Sequence, residues 1–295
     1  MTKDDQRPCP PPDPDPHPPK IGVPHGATDC HAHVFGPASK YPLQDNRSYT
    51  PPDLPLSQLR AMHRTLGVER LVLVHASVHG ADNSIILDAL ATDPLNLRAV
   101  AAMTEDTTDS ELARMRGAGV RGIRVNLVDR GGMPFRSLAA LSRAADRIRD
   151  LGFHLELLVH VESFTELSQL AKTISVPMSV GHIGYTKIAA GGLGHPGFQN
   201  FLAMLRDGRF WVKLTGPYRI SMCSKFPYDD VAGMAKAVIA AAPGRVVWGS
   251  DWPHVMVTEM PNDGDLLDEL SGWAPDPALR HQILVDNPAR LYGFS

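Results

Sequence analysis

Short apolar, β-branched runs recur along the chain between longer stretches whose apolar residues fall at helical spacing. The runs are "GATDCHAH" near residue 26, "RLVLVHAS" near 70, "RAVAAM" near 98, "VRGIRVNL" near 120, "FHLELLV" near 153, "PMSVGH" near 177, "FWVKLT" near 210 and "RVVWGSDW" near 245. Each has the length and composition of a strand buried on both faces. Between them lie "LSQLRAMHRTLG", "NSIILDALATD", "SELARMRGAG" and "LAALSRAADRIRDLG", which read as amphipathic helices, some ending in a glycine placed to cap them. Eight strands alternating with helices predict parallel βαβ units, and eight such units close into a (β/α)8 TIM barrel. An open doubly wound sheet is the alternative. The absence of a glycine-rich phosphate loop after the first strand disfavours it.

Composition sets the limits of this domain. A chain of 295 residues with 43% hydrophobic content has enough apolar material for one large barrel, assigned to residues 25–295. Residues 1–24, "MTKDDQRPCPPPDPDPHPPKIGVP", are too rich in proline for a regular element and predict an extended, disordered arm. That segment has no apolar stretch of signal-peptide length, and no later segment has the length of a membrane span. A net charge of −3 gives no field suited to nucleic acid or to a membrane surface, so any bound anion needs a local cluster of cations. Cys9, Cys30 and Cys223 are odd in number and far apart, which argues against a disulfide framework and for a cytoplasmic protein. The oligomeric state is left open.

Polar residues gather where the barrel reading puts strand carboxyl ends, the face on which barrel sites are built. His31 and His33 end the first run, His75 and Ser77 the second, Arg124 and Asn126 the fourth, His182 the sixth, Lys213 and Thr215 the seventh, and Asp251 the eighth. Strand alternation aims His31 and His33 together into the barrel mouth and turns Cys30 and Ala32 outward. Three imidazoles and a carboxylate supply what ester hydrolysis requires. N–H donors stabilise the carbonyl oxygen as it gains charge, and a base removes a proton from water. The same four side chains, His31, His33, His182 and Asp251, are competent zinc ligands, so spacing alone also permits a metal. Arg124 lies in an apolar strand, where an unpaired charge is costly, and therefore needs a partner or a ligand.

"DCHAHVFGP", "ASVHGADN", "GIRVNLVDR", "VGHIG", "GPYR", "VVWGSDWPH" and "DNPARLYG" together resemble the amidohydrolase superfamily, in its amidohydrolase-2 branch. Within that branch they are most similar to the 2-pyrone-4,6-dicarboxylate lactonase family. The resemblance covers residue 24 to the end. It implies an enzyme that opens a cyclic ester carrying carboxylates, in aromatic or sugar-acid catabolism, without a metal cofactor. It implies Asp251 as the base on water, with His31, His33 and His182 around the carbonyl. It also implies Arg124, Arg130 and Arg219 on the substrate carboxylates, helped by Tyr49 and Ser77, with His79 and His254 as further contacts. The family's strand-5 tyrosine is missing here. Leu158 takes its place and His160 follows two residues later, which bears on the choice of substrate. The rival expectations are an aldarolactone hydrolase or isomerase, and a zinc- or manganese-dependent decarboxylase of the same branch. A non-catalytic binder of organic acids has no use for a base aimed at water. The partner expected is a small anionic lactone.

Overall fold

The computed structural model describes residues 6–129, 135 and 137–295. Eight parallel strands form one sheet: β1 (Thr28–Ala32), β2 (Arg70–Val74), β3 (Leu97–Ala101), β4 (Val120–Asn126), β5 (His154–Leu158), β6 (Met178–Val180), β7 (Phe210–Leu214) and β8 (Val246–Trp248). Neighbours in space are neighbours in sequence from β1 to β8, the order of a singly wound (β/α)8 barrel. The seam between β8 and β1 is closed by two irregular backbone bonds. Asp251 N–H donates to the His31 carbonyl at 2.7 Å, and His33 N–H to that of Trp252 at 2.9 Å. Gly249 makes this approach possible, because a Cβ there would lie 2.6 Å from the His31 nitrogen.

Helices follow the strands as their spacing predicts. Leu56–Leu66 buries Leu59, Met62, His63 and Leu66 and ends on Gly67 at φ 74°. Asp109–Ala118 opens with a reciprocal cap between Thr108 and Glu111 and ends on Gly119 at φ 112°. Both glycines adopt the left-handed conformation that closes a helix at little steric cost. The main core lies between the barrel wall and these helices, where Leu71, Leu73, Ile123, Leu155, Leu157 and Val212 are inaccessible to solvent. A second cluster, Cys30, Val72, Val74, Val100, Trp211 and Val247, packs with Tyr292 and Phe294 from the carboxyl terminus. Arg70 and Arg98, early in β2 and β3, lie against Phe294, so the terminal residues close the amino-terminal end of the barrel.

Simple alternation fails in β1. Asp29 pairs with Leu71 and Ala32 with Leu73, three residues against two, so β1 carries a bulge. The extra residue puts Cys30 in the interior cluster rather than outside, while Ala32 packs outward as alternation predicts and Asp29 turns to His63 and Ser250. Residues 6–24 of the proline-rich segment run against the barrel. Arg7–Pro8 pairs in parallel with Tyr49–Thr50, and the backbone N–H groups of Lys20 and Ile21 donate to Asp268. Extended proline-rich chain leaves its N–H groups free for such bonds. No helix among the described residues is long and apolar enough to cross a membrane.

Candidate active site

A cavity of about 550 Å³ opens at the carboxyl ends of the strands. Its floor and walls include His33, Arg124, His182 and Asp251, with Tyr49, Ser77, Asn126, Leu158, Tyr185, Tyr218 and Arg219 around them. Loop residues 221–224 and 255–259 form the outer wall. The positions of His182 and Asp251 are unusual in backbone terms. His182, Ile183, Tyr185, Asp251, His254 and Met256 all have φ between 50° and 66°. Such residues cost about 1–3 kcal/mol each and persist where surrounding structure holds them. At Asp251 that hold is the bond across the barrel seam.

Asp251 is the centre of the site. One carboxylate oxygen, Oδ2, accepts the Tyr218 hydroxyl and the Arg219 Nε–H, each at 2.6 Å. The other, Oδ1, lies 3.6 Å from His31 Nε2 and 3.9 Å from His33 Nε2, beyond hydrogen-bond distance from both. Burial pushes the Asp251 carboxyl up, but the Arg219 guanidinium, His182, His33 and the Tyr218 hydroxyl outweigh it and hold the group ionised well below the usual carboxylate range. Burial also raises the Tyr218 hydroxyl, so that it remains a donor. Gly216 leaves room for this arrangement: a Cβ there would stand 3.0 Å from both Asp251 Oδ2 and His182 Nδ1.

The carbonyl beside His33 fixes its tautomer, whereas that of His182 turns on a hydroxyl. His33 Nδ1–H donates to the Val74 carbonyl at 2.8 Å, leaving Nε2 with a lone pair. Thr215 Oγ1 accepts the His182 backbone N–H at 3.0 Å and lies 2.9 Å from His182 Nδ1, to which its own proton can go, leaving Nε2–H on the cavity side. Burial, then the Arg124 charge, pushes His33 down to about 4. Burial likewise takes His182 to about 3, with Arg219 and Arg124 acting in the same direction. Both rings are therefore neutral at pH 7.

The expected residues do not all converge. Tyr49, Ser77, Arg124 and Arg219 line the cavity. Arg124 donates from NH1 to Glu156 at 3.0 Å, and Arg219 is committed to Asp251 and, at 3.2 Å, to the Val255 carbonyl. His31 is buried beneath the cavity rather than in its wall. His79 lies outside it, stacked 5.9 Å from Phe35, with Nδ1 3.2 Å from the Pro42 carbonyl. His254 is wholly buried behind Tyr218, between that hydroxyl at 3.0 Å and Asp263 at 3.1 Å. His160 is bonded to the Tyr185 carbonyl at 2.9 Å, and Arg130 falls outside the described residues. The residues that sequence reasoning passed over are Tyr218, Tyr185, Asp129 and Glu156, the last paired with Lys213, which was placed at a strand end without a role. Tyr218 alone had a signal, as the neighbour of Arg219 in "GPYR".

Ligand atoms of His31, His182 and Asp251 lie within 4.8 Å of one another, the spacing of a three-ligand cation site. The fit of such an ion turns on the imidazole tautomers, and with His182 Nδ1–H donating to Thr215 Oγ1 the cavity-side Nε2 is bare. A ligating imidazole must present a bare nitrogen, whereas the cavity-side nitrogen of His182 carries the proton when Thr215 donates to Nδ1. His31 Nε2 is buried with no hydrogen-bond partner, and its other nitrogen faces the Lys213 ammonium at 3.3 Å, which can donate to it.

The family profile of the amidohydrolases matches residues 28–294, nearly the whole barrel. The chain is 39% identical to a 4-sulfomuconolactone hydrolase of Rhizobium radiobacter, over 97% of this chain and 96% of the relative. It is 36% identical to a 2-pyrone-4,6-dicarboxylate hydrolase of Comamonas testosteroni, over 93% and 92% of the two chains. A crystal structure of an Agrobacterium tumefaciens protein, solved in the apo form, superposes with a TM-score of 0.83 at 28% identity, covering 94% of this chain and 99% of that one. Barrel, strand-end histidines and final-strand aspartate thus coincide with a match over the full domain, and the chain belongs to the amidohydrolase family.

Proposed function

We propose that this protein is a lactonase that opens a small lactone bearing a carboxylate or a sulfonate, with Asp251 as the base. The observation that carries this reading is the asymmetry of the Asp251 carboxylate, which lines the cavity with Oδ2 bound by two donors and Oδ1 beyond hydrogen-bond distance of the nearby imidazoles. An ionised buried carboxylate with one free oxygen beside neutral imidazoles is a proton acceptor for water. Water attacks the lactone carbonyl carbon while Oδ1 takes its proton. The oxyanion that forms meets the His182 Nε2–H. The carbonyl re-forms, the ring carbon–oxygen bond breaks, and the departing oxygen takes the proton from Asp251 to leave an open-chain acid.

The substrate's anionic group meets Arg124, which lines the cavity, with the side chains of Tyr49 and Ser77 on the same lining. A planar guanidinium suits a carboxylate or sulfonate. Arg130, expected from the sequence as a second cation for the substrate, lies outside the described residues. Leu158 at the end of β5 places an apolar side chain on the wall, which suits a lactone with no polar group on that side. The relatives' names give the two nearest substrate classes, sulfomuconolactone and pyrone dicarboxylate. The proposal further takes the reaction to be metal-independent and the compartment to be the cytoplasm, where free thiols such as Cys9, Cys30 and Cys223 persist. A panel of sulfonated and carboxylated muconolactones, pyrone dicarboxylate and aldarolactones, assayed by ring opening with chelator-stripped protein, tests the reading. Turnover of one anionic lactone by stripped protein is the expected result. Activity that vanishes on stripping and returns with stoichiometric zinc or manganese overturns the metal-independent route.

A further inference from the structure

Beneath the cavity the barrel interior holds charges that the reaction itself does not use. Lys213 from β7 and Glu156 from β5 are buried and ion-paired, and Glu156 Oε1 also accepts from Arg124 NH1 at 3.0 Å. The Lys213 ammonium donates to the Cys30 carbonyl at 2.7 Å and lies 3.3 Å from His31 Nδ1. The ammonium thus faces a carbonyl and an imidazole nitrogen at hydrogen-bond distance beside the carboxylate with which it is ion-paired.

We propose that Lys213 is a positioning residue that fixes His31 as the Nε2–H tautomer by donating to Nδ1, so that the imidazole proton faces Asp251 Oδ1. The competing arrangement places the proton on Nδ1, directed at Glu156 Oε1 3.4 Å away. It sets that proton against the Lys213 N–H and turns the bare Nε2 lone pair toward a carboxylate oxygen 3.6 Å away. Both contacts are then repulsive. With the ammonium as donor both are attractive, and the buried His31 Nε2, otherwise without a partner, points its proton at the basic oxygen. A His31 held this way keeps Oδ1 in place for water and offers no lone pair to a cation. The β1 bulge is what brings this about, because it turns Cys30 and His31 inward in succession and so puts the Cys30 carbonyl and the His31 ring on one ammonium.

The test is the ring-nitrogen spectrum of protein labelled with 15N-histidine, with His31 assigned by comparison with His31→Gln. In the wild type, Nδ1 should resonate as a pyridine-type nitrogen and Nε2 as a pyrrole-type one, with no substrate present. Lys213→Met keeps the stem, leaves Glu156 paired with Arg124, and should exchange the two assignments. Its kinetic effect rests on the lactonase reading: kcat should fall about a hundredfold, the loss typical of one misplaced donor at a reacting centre, with KM within about threefold. A wild-type spectrum with the proton on Nδ1 overturns the proposal even if the variant does not fold, and so does an unchanged tautomer in a folded Lys213→Met. The expected tautomer in a protein that opens no anionic lactone overturns the functional reading and leaves this one standing.

Discussion

Replacing Asp251 with asparagine separates the role of its two oxygens. The bonds from Tyr218 and Arg219 both end on Oδ2, so the amide oxygen of the replacement side chain will settle there and keep both donors. That forces the amide nitrogen into the Oδ1 position, where it offers two protons and no lone pair to the attacking water. General-base catalysis contributes about 10²–10⁴ in rate, so kcat should fall by that factor, equivalent to about 3–5 kcal/mol of transition-state stabilisation. The stability cost is smaller. Two hydrogen bonds to a charged acceptor become bonds to a neutral one, a loss of roughly 1 kcal/mol each against a typical total stability of about 5–15 kcal/mol. The variant should therefore fold, bind substrate with a KM near that of the wild type and fail to turn it over. Ring opening followed at saturating lactone, beside urea denaturation of both proteins, measures the two quantities. A folded variant that keeps more than about a tenth of wild-type kcat refutes the assignment of Oδ1 as the base.

Acid should unfold the protein through its buried neutral histidines. Burial lowers His33 and His154 to about 4 and His75 and His182 to about 3, so between the unfolded value of 6.5 and those values the unfolded chain binds more protons. Stability is then complete above about pH 6.5 and falls as pH drops, by about 1.4 kcal/mol per pH unit for each such histidine, and denaturation midpoints independent of pH between 6.5 and 4.5 would contradict this. Arg124→Met should lower kcat/KM for an anionic lactone by about 30-fold or more, the loss of a 2–5 kcal/mol charge contact, and much less for an uncharged analogue, whereas equal losses would assign Arg124 to the Glu156 pairing alone. His79→Leu should cost about 1 kcal/mol of stability through the Pro42 carbonyl it leaves unpaired and change kcat/KM less than about twofold, and a tenfold loss would place His79 on the substrate after all.

The barrel, and the gathering of several candidate site residues at its mouth, were legible in the sequence because both depend on local periodicity. Apolar runs at regular spacing define parallel strands, and polar residues at their carboxyl ends fall on one face of the barrel, which is how His33, Arg124, His182 and Asp251 come to share a cavity. What only the tertiary structure decided depends on register and on partners distant in the chain. A single extra residue in β1 turns Cys30 inward against the alternation rule, and nothing in "TDCHAH" marks the bulge, since it is defined by pairing with β2. Lys213 could be placed at a strand end, but its pairing with Glu156 appears only when the barrel brings β5 and β7 to the same interior level under His31. His79 and His254 belong to motifs that contain site residues, yet one stacks on Phe35 and the other backs Tyr218, because loop geometry sets where each side chain after a strand end is aimed. Arg219 looked like a carboxylate clamp for substrate. Its nearest carboxylate is Asp251, 32 residues away, and only folding reveals that pairing.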